Sequence, residues 1–170
     1  MNKYIALLAA VAVVITLLVL LRLVTGRRRL PYRRVESLLT AAERSFYDVL
    51  LRAVAPELVV FAKVRLADLM WLPDGVRDRQ AHLGRIIAKH VDFVLCDRQT
   101  LSPVLAIELD DSSHLARERR DRDAFVDRAL SAAGIPLLRV RASRSYHLPE
   151  LARQLQVALQ GSSRGAGLSV

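Results

Sequence analysis

The sequence predicts one α/β domain held to a membrane by a single N-terminal helix, and three observations predict it. From Ile5 to Leu21 there is no charge and one hydroxyl, Thr16. Beyond residue 36, runs of strand-forming residues alternate with helical stretches in the order helix, strand, strand, strand, helix, strand, helix. With 52% hydrophobic residues and only 7 Gly and 6 Pro in 170 residues, the chain can bury one compact core.

The apolar run continues through Leu23 and Val24, past an Arg22 that can reach outward to the interface. About twenty helical residues cover a hydrocarbon core of ~30 Å. An apolar surface on all sides, with no polar stripe, argues against a soluble core helix. A cleaved signal peptide would need a small-residue cleavage site, absent here, and Arg27, Arg28 and Arg29 oppose export of the downstream chain. Residues 1–24 are therefore read as an anchor and 25–36 as a basic juxtamembrane linker. Residues 37–160 are the domain and 161–170 a flexible tail. The positive-inside rule places the domain on the cytoplasmic face of an inner membrane.

The net charge of +9 suggests nucleic acid until the charges are located. Lys3, Arg22, Arg27, Arg28, Arg29, Arg33 and Arg34 against Glu36 put six of the nine net charges in the first 36 residues. Membrane lipid, met by residues 5–24 and the Arg27–Arg34 cluster, is thus the first expected partner, and nucleic acid the second. The single cysteine, Cys96, forms no internal disulfide and reads as core packing.

Within the domain, Thr40-Ala41-Ala42-Glu43 spells a capping box for a helix reaching about Ala55, closed by Pro56. Leu58–Leu66 reads as a strand, Pro73-Asp74-Gly75 as a turn, and the stretch through Leu83, Ile86 and Ile87 as a short amphipathic segment. Strands at His90–Cys96 and Val104–Asp110 are joined by a turn over 97–103. A charged helix over Leu115–Ala133 stops at Gly134, a fourth strand spans Ile135–Val140, and a last helix covers Pro149–Leu159. Pro136 suggests an edge or strand-entry position. Arg117 with Asp121 and Arg119 with Asp123 fit a solvated, salt-bridged helix face.

Three acids interrupt the apolar strands: Asp92, Glu108 and Asp110. A hairpin centred near Thr100 sets Asp92 opposite Glu108, and period-2 alternation puts Asp110 on the same face as Glu108. Converging carboxylates repel one another unless a cation neutralises them, and all-oxygen ligands suit Mg²⁺ or Mn²⁺. The competing reading is an ion network with arginines such as Arg65 or Arg139.

The phrases Lys89-His90-Val91-Asp92-Phe93-Val94-Leu95-Cys96-Asp97, Ala106-Ile107-Glu108-Leu109-Asp110-Asp111-Ser112-Ser113-His114 and Ala133-Gly134-Ile135-Pro136 are similar to a bacterial domain of unknown function, family 2726 (DUF2726). The element order resembles the PD-(D/E)XK, or restriction-endonuclease-like, superfamily. The Glu-Leu-Asp-Asp-x-x-His run resembles very-short-patch-repair-type endonucleases. The resemblance, over roughly residues 35–155, implies an αβββαβ core with a mixed sheet flanked by helices, and metal-dependent phosphodiester cleavage. Asp92 and Glu108 would ligate the cation, with the Leu109 carbonyl as a further ligand. Asp110 could help hold a second metal ion. Glu43 matches a further acid of some superfamily members, besides its capping role. Asp110 stands where the motif expects lysine, so Lys63, Lys89 or His114 would have to substitute, and His114 is also a candidate acid or base. The expected function is a membrane-anchored, Mg²⁺-dependent nuclease-like domain acting on nucleic acid at the cytoplasmic face. The alternative is a catalytically degenerate nuclease fold serving as a tethered binding module.

Overall fold

A computed structural model describes residues 2–25, 30–110 and 118–165. The chain divides into two compact units, Met1–Glu36 and Ser37–Val170.

In the first unit, helix α1 spans Lys3–Thr25. The window Lys3–Arg22 has a mean hydropathy of 3.0 and is long and apolar enough to cross a membrane. The Thr16 hydroxyl donates to the Ala12 carbonyl at 2.8 Å, so the one polar side chain within the run is satisfied by its own helix.

The second unit is a mixed α/β fold. Helix α2 (Ala41–Ala53) opens on the expected capping box: the Thr40 hydroxyl accepts from the Glu43 amide and the Glu43 carboxylate accepts from the Thr40 amide. It stops two residues before the expected Ala55, because the residue preceding Pro56 is pushed out of helical geometry. Strand β1 (Leu58–Arg65) leads into the short α3 (Leu66–Leu69), α4 (Arg79–Ile87), β2 (His90–Asp97) and β3 (Pro103–Asp110). Helix α5 covers Glu118–Ala132, β4 Leu137–Arg141 and α6 Leu148–Gly165. The expected start of α5 at Leu115 and the Arg117 pairing with Asp121 fall outside the described residues, as do the side chains of Arg119 and Asp123.

The strands lie in the order β1-β2-β3-β4, with β1/β2 and β2/β3 antiparallel and β3/β4 parallel. A parallel pair needs a crossover, and α5 supplies it. β4 begins at Leu137 rather than Ile135 and occupies an edge, and the Pro136 carbonyl accepts from the Ala106 amide at the strand's entrance. Helix α6 runs past the expected end at Leu159 and through five residues assigned to a tail. Gly161 weakens a helix by about 1 kcal/mol relative to alanine, which is too little to stop it.

Apolar layers cover both faces of the sheet. Phe46 and Leu50 of α2 and Leu151 and Leu155 of α6 pack on Phe93, Leu95, Leu105, Ile107 and Val140. On the other face Leu66, Ile86, Val126, Leu130 and Ile135 meet Val91, Val94, Cys96 and Ala106. Each fully buried Leu or Phe contributes roughly 1.5–3 kcal/mol relative to exposure. Cys96 belongs to this second layer, where burial pushes its thiol up, away from the reactive thiolate.

Candidate functional site: an acidic fork in the sheet

The hairpin register is the one expected from its turn: Phe93 pairs with Ile107, Val94 with Ala106 and Leu95 with Leu105. Asp97 shapes the turn, its Oδ1 accepting from the amides of Gln99 and Thr100 and from the Thr100 hydroxyl. The β2–β3 pairing ends at Phe93 and Ile107, while β2 continues alongside β1 to His90. The sheet therefore forks, and Asp92 sits at the fork. Its Oδ2 accepts from the Leu109 amide at 3.0 Å, taking the place of a ladder hydrogen bond.

Alternation reverses at this point in both β1 and β2. Leu58 and Val60 pack on the α2 side and Val59 on the α5 side, so strict period 2 would return Val64 to the α2 side; instead it packs with Leu66 and Ile86. Val91 makes the same change relative to Phe93 and Leu95. The cause lies at Lys63, whose φ of +55° is left-handed and which drops out of the β1–β2 pairing opposite Asp92. Lys63 and Asp92 are thereby turned toward α2. There Lys63 Nζ bonds Glu43 Oε1 and, at 3.1 Å, Asp92 Oδ1. Glu43 thus serves both of its candidate roles, capping α2 through Oε2 and holding Lys63 through Oε1.

Glu108 and Asp110 share a face, as expected, and that face is the α5 side. β4 brings Arg139 beside Glu108 in the parallel register. Arg139 Nη1 lies 2.9 Å from Glu108 Oε2 and 3.1 Å from Asp110 Oδ1, and Nη2 lies 3.0 Å from Asp127 Oδ1 on α5. The expected convergence of three acids on one spot is therefore corrected. The register is right, but the reversal at Lys63 turns Asp92 to the opposite face. The two sets adjoin through β3, where the Leu109 amide held by Asp92 follows directly on Glu108.

Electrostatics matches this geometry. Burial pushes the Glu43 carboxyl up, but the Lys63 hydrogen bond and charge and the Thr40 amide outweigh it and hold the group below its ordinary value of 4.5. Burial pulls Lys63 down, and its bonds to Glu43 and Asp92 raise it above 10.5. Arg139 is likewise raised, its burial offset by Asp127, Glu108 and Asp110. Among the described residues no buried side-chain nitrogen or oxygen lacks a partner.

The remaining expectations divide. Lys89 donates to the Arg85 carbonyl and lies over the Phe125 ring, so it is not the cation at the fork. Arg65 pairs with Asp68, not with the acids. His114 lies outside the described residues. Asp127 had no sequence signal separating it from the other acids of α5, and its link to β4 depends on the crossover.

Carboxylate oxygens suit a hard divalent cation, so the donor chemistry of Asp92 and Glu108 fits Mg²⁺ or Mn²⁺. In the present arrangement Lys63 and Arg139 carry the compensating charge. Among the described residues no group of three His, Cys, Asp or Glu side chains is placed to hold a metal ion.

Fold and site together define a mixed α/β domain with an ion-paired acidic fork, on a chain bearing one membrane-spanning-length helix. The chain belongs to the family described as protein of unknown function (DUF2726), which matches residues 35–159 and so includes every residue of the fork. No curated protein and no solved structure matches the chain.

Proposed function

We propose that this protein is a membrane-anchored, divalent-metal-dependent nuclease-like enzyme with a restriction-endonuclease-like core, acting on nucleic acid at the cytoplasmic face. The observation that carries the reading is Lys63, placed by a strained strand residue between Glu43 and Asp92. A non-glycine residue held at positive φ inside a strand costs of order 1–3 kcal/mol, and such strain gathers at functional sites. In this reading Lys63 supplies the cation that the motif would carry at position 110.

Asp92 and Glu108 are the residues that would hold Mg²⁺ or Mn²⁺, each turning from its present cation toward the fork at Leu109, where the two faces adjoin. The Leu109 carbonyl, directed to the same side of β3 as its amide, is available as a further ligand. A bound divalent ion would supply an activated water and neutralise charge on phosphorus. Lys63, kept protonated by two carboxylates, would stabilise the negative charge of the transition state. Glu43 would orient Lys63. Arg139 would release Glu108 to the ion and keep Asp110 and Asp127.

A second reading, a nuclease fold serving as a tethered binding module, is favoured by one observation: both oxygens of Asp92 are already committed, to Lys63 and to the Leu109 amide. The assay that separates the two incubates the full chain in detergent with single-stranded, duplex and branched DNA and with RNA, across a Mn²⁺ series. The enzyme reading expects cleavage that disappears in Asp92→Ala and Glu108→Ala and falls about 100-fold or more in Lys63→Met. Nucleic-acid or protein binding with no cleavage of any substrate would select the binding module.

A further inference from the structure

A groove of about 410 Å³ opens between the segment following α3, helix α4 and helix α5. Buried Ile86 and half-buried Phe125 line it, together with the small side chains of Ala129, Ala132 and Ala133. At its rim stands Trp71, the only tryptophan in the chain, 79% exposed. Arg79 pins the Trp71 segment to α4 by donating to the carbonyls of Leu72 and Pro73 at 2.8 and 2.9 Å. The Arg85 guanidinium lies over Phe125, its carbon 4.1 Å from the ring centroid.

Among the described residues, the charged side chains lining this groove are cationic. Arg85, Arg128 and His82 line it with no acidic side chain, and neither arginine has a carboxylate partner among the described residues. An exposed aromatic face, a slot of small-ligand volume and two arginines with no carboxylate partner among the described residues together call for a flat, apolar group attached to negative charge. A bilayer takes up convex apolar surface, whereas this surface is concave.

We infer that the groove binds single-stranded nucleic acid, with an unpaired base stacked on Trp71 above the Phe125–Arg85 layer and adjacent phosphates on Arg85 and Arg128. The inference rests on the reading that the domain handles nucleic acid. It adds the form of the substrate and a place of contact outside the acidic fork. Paired bases present no free face to an aromatic ring, so duplex binds less well.

The lone tryptophan makes the test direct. Full chain in uncharged detergent, with EDTA to prevent turnover, is titrated with a short oligothymidylate and with a blunt duplex of equal length. Trp71 emission should be quenched saturably by the single strand and much less by the duplex. Anisotropy of a labelled single strand should show affinity falling about tenfold in Trp71→Ala and in Arg85→Gln. Trp71→Phe should restore most of it.

Equal affinity in folded Trp71→Ala overturns the inference, as does emission that responds to nanodiscs of anionic lipid but not to oligonucleotide. Trp71-dependent binding without cleavage under any metal upholds the groove and removes the enzyme reading. Cleavage with an unchanged KM in Trp71→Ala does the reverse.

Discussion

Lys63 joins backbone strain to charge in one residue, and the two contributions separate by substitution. Lys63→Ala removes both ion pairs and keeps a Cβ in the left-handed region, whereas Lys63→Gly removes the same pairs and the strain. Chemical denaturation should find the glycine variant more stable than the alanine variant by about 1 kcal/mol, and an ordering the other way would show that the backbone is not strained there. Glu43 offers a similar separation. Glu43→Gln keeps an acceptor for the Thr40 amide and loses the charge facing Lys63, so its cost, about 1–2 kcal/mol near neutrality, reports the Lys63 bond rather than the cap. The pH dependence has a definite sign. A carboxyl held below 4.5 contributes stability that is complete above 4.5 and is lost as pH falls through its lowered value. Lys63, raised above 10.5, contributes below 10.5 and loses that contribution as pH climbs through its raised value. The parent should therefore lose more stability than Glu43→Gln between pH 5 and pH 3, measured by denaturant midpoints across that range.

Helix α5 packs on the sheet through Val126 and Leu130, and two further features, its C-terminal closure and its link to β4, each predict a different loss. At its C-terminus Gly134, at φ +70°, closes the helix. The Gly134 amide donates to Ser131 and the Ile135 amide to Leu130, leaving Ile135 buried in the core. Gly134→Ala should destabilise the domain by about 1–2 kcal/mol from the left-handed conformation alone, since no atom would clash with the added Cβ. Along its length, Asp127 meets Arg139 of β4. Arg139→Ala removes the ion pair made with the Glu108 carboxylate, which is only 12% exposed, so a loss of about 2–3 kcal/mol is expected. Asp127→Ala, exposed at the far end of the same guanidinium, should cost under about 1 kcal/mol. Equal losses in these two variants would place the weight of the network on α5 instead of on Glu108.

The whole chain couples a helix of membrane-spanning length to a domain whose proposed chemistry needs nucleic acid, so the side of the membrane on which the domain lies is decisive. The basic cluster from Arg27 to Arg34 predicts retention of that side in the cytoplasm. A C-terminal fusion to a reporter active only outside the cytoplasm should therefore be silent, and a cytoplasm-dependent reporter at the same position should be active. Export of the first reporter would remove the cytoplasmic reading, and release of a shortened soluble form would restore the signal-peptide alternative.

Local physics settled much of this protein in advance. An uninterrupted apolar run determines its spanning-length helix, the Thr40–Glu43 spacing starts α2, and the turn at Asp97 sets the β2–β3 register, because each depends on residues close together in the chain. The Glu108 and Asp110 face followed from period 2 for the same reason. The partner of each acid was decided only by the tertiary structure. Period 2 holds until a backbone torsion breaks it, and the positive φ of Lys63, a torsion that lysine's identity does not announce, turned Asp92 away from Glu108 and toward α2. Arg139 reached Glu108 because a parallel crossover through α5 set β4 beside β3, a choice made by burying two apolar layers at once rather than by any segment of the sequence alone.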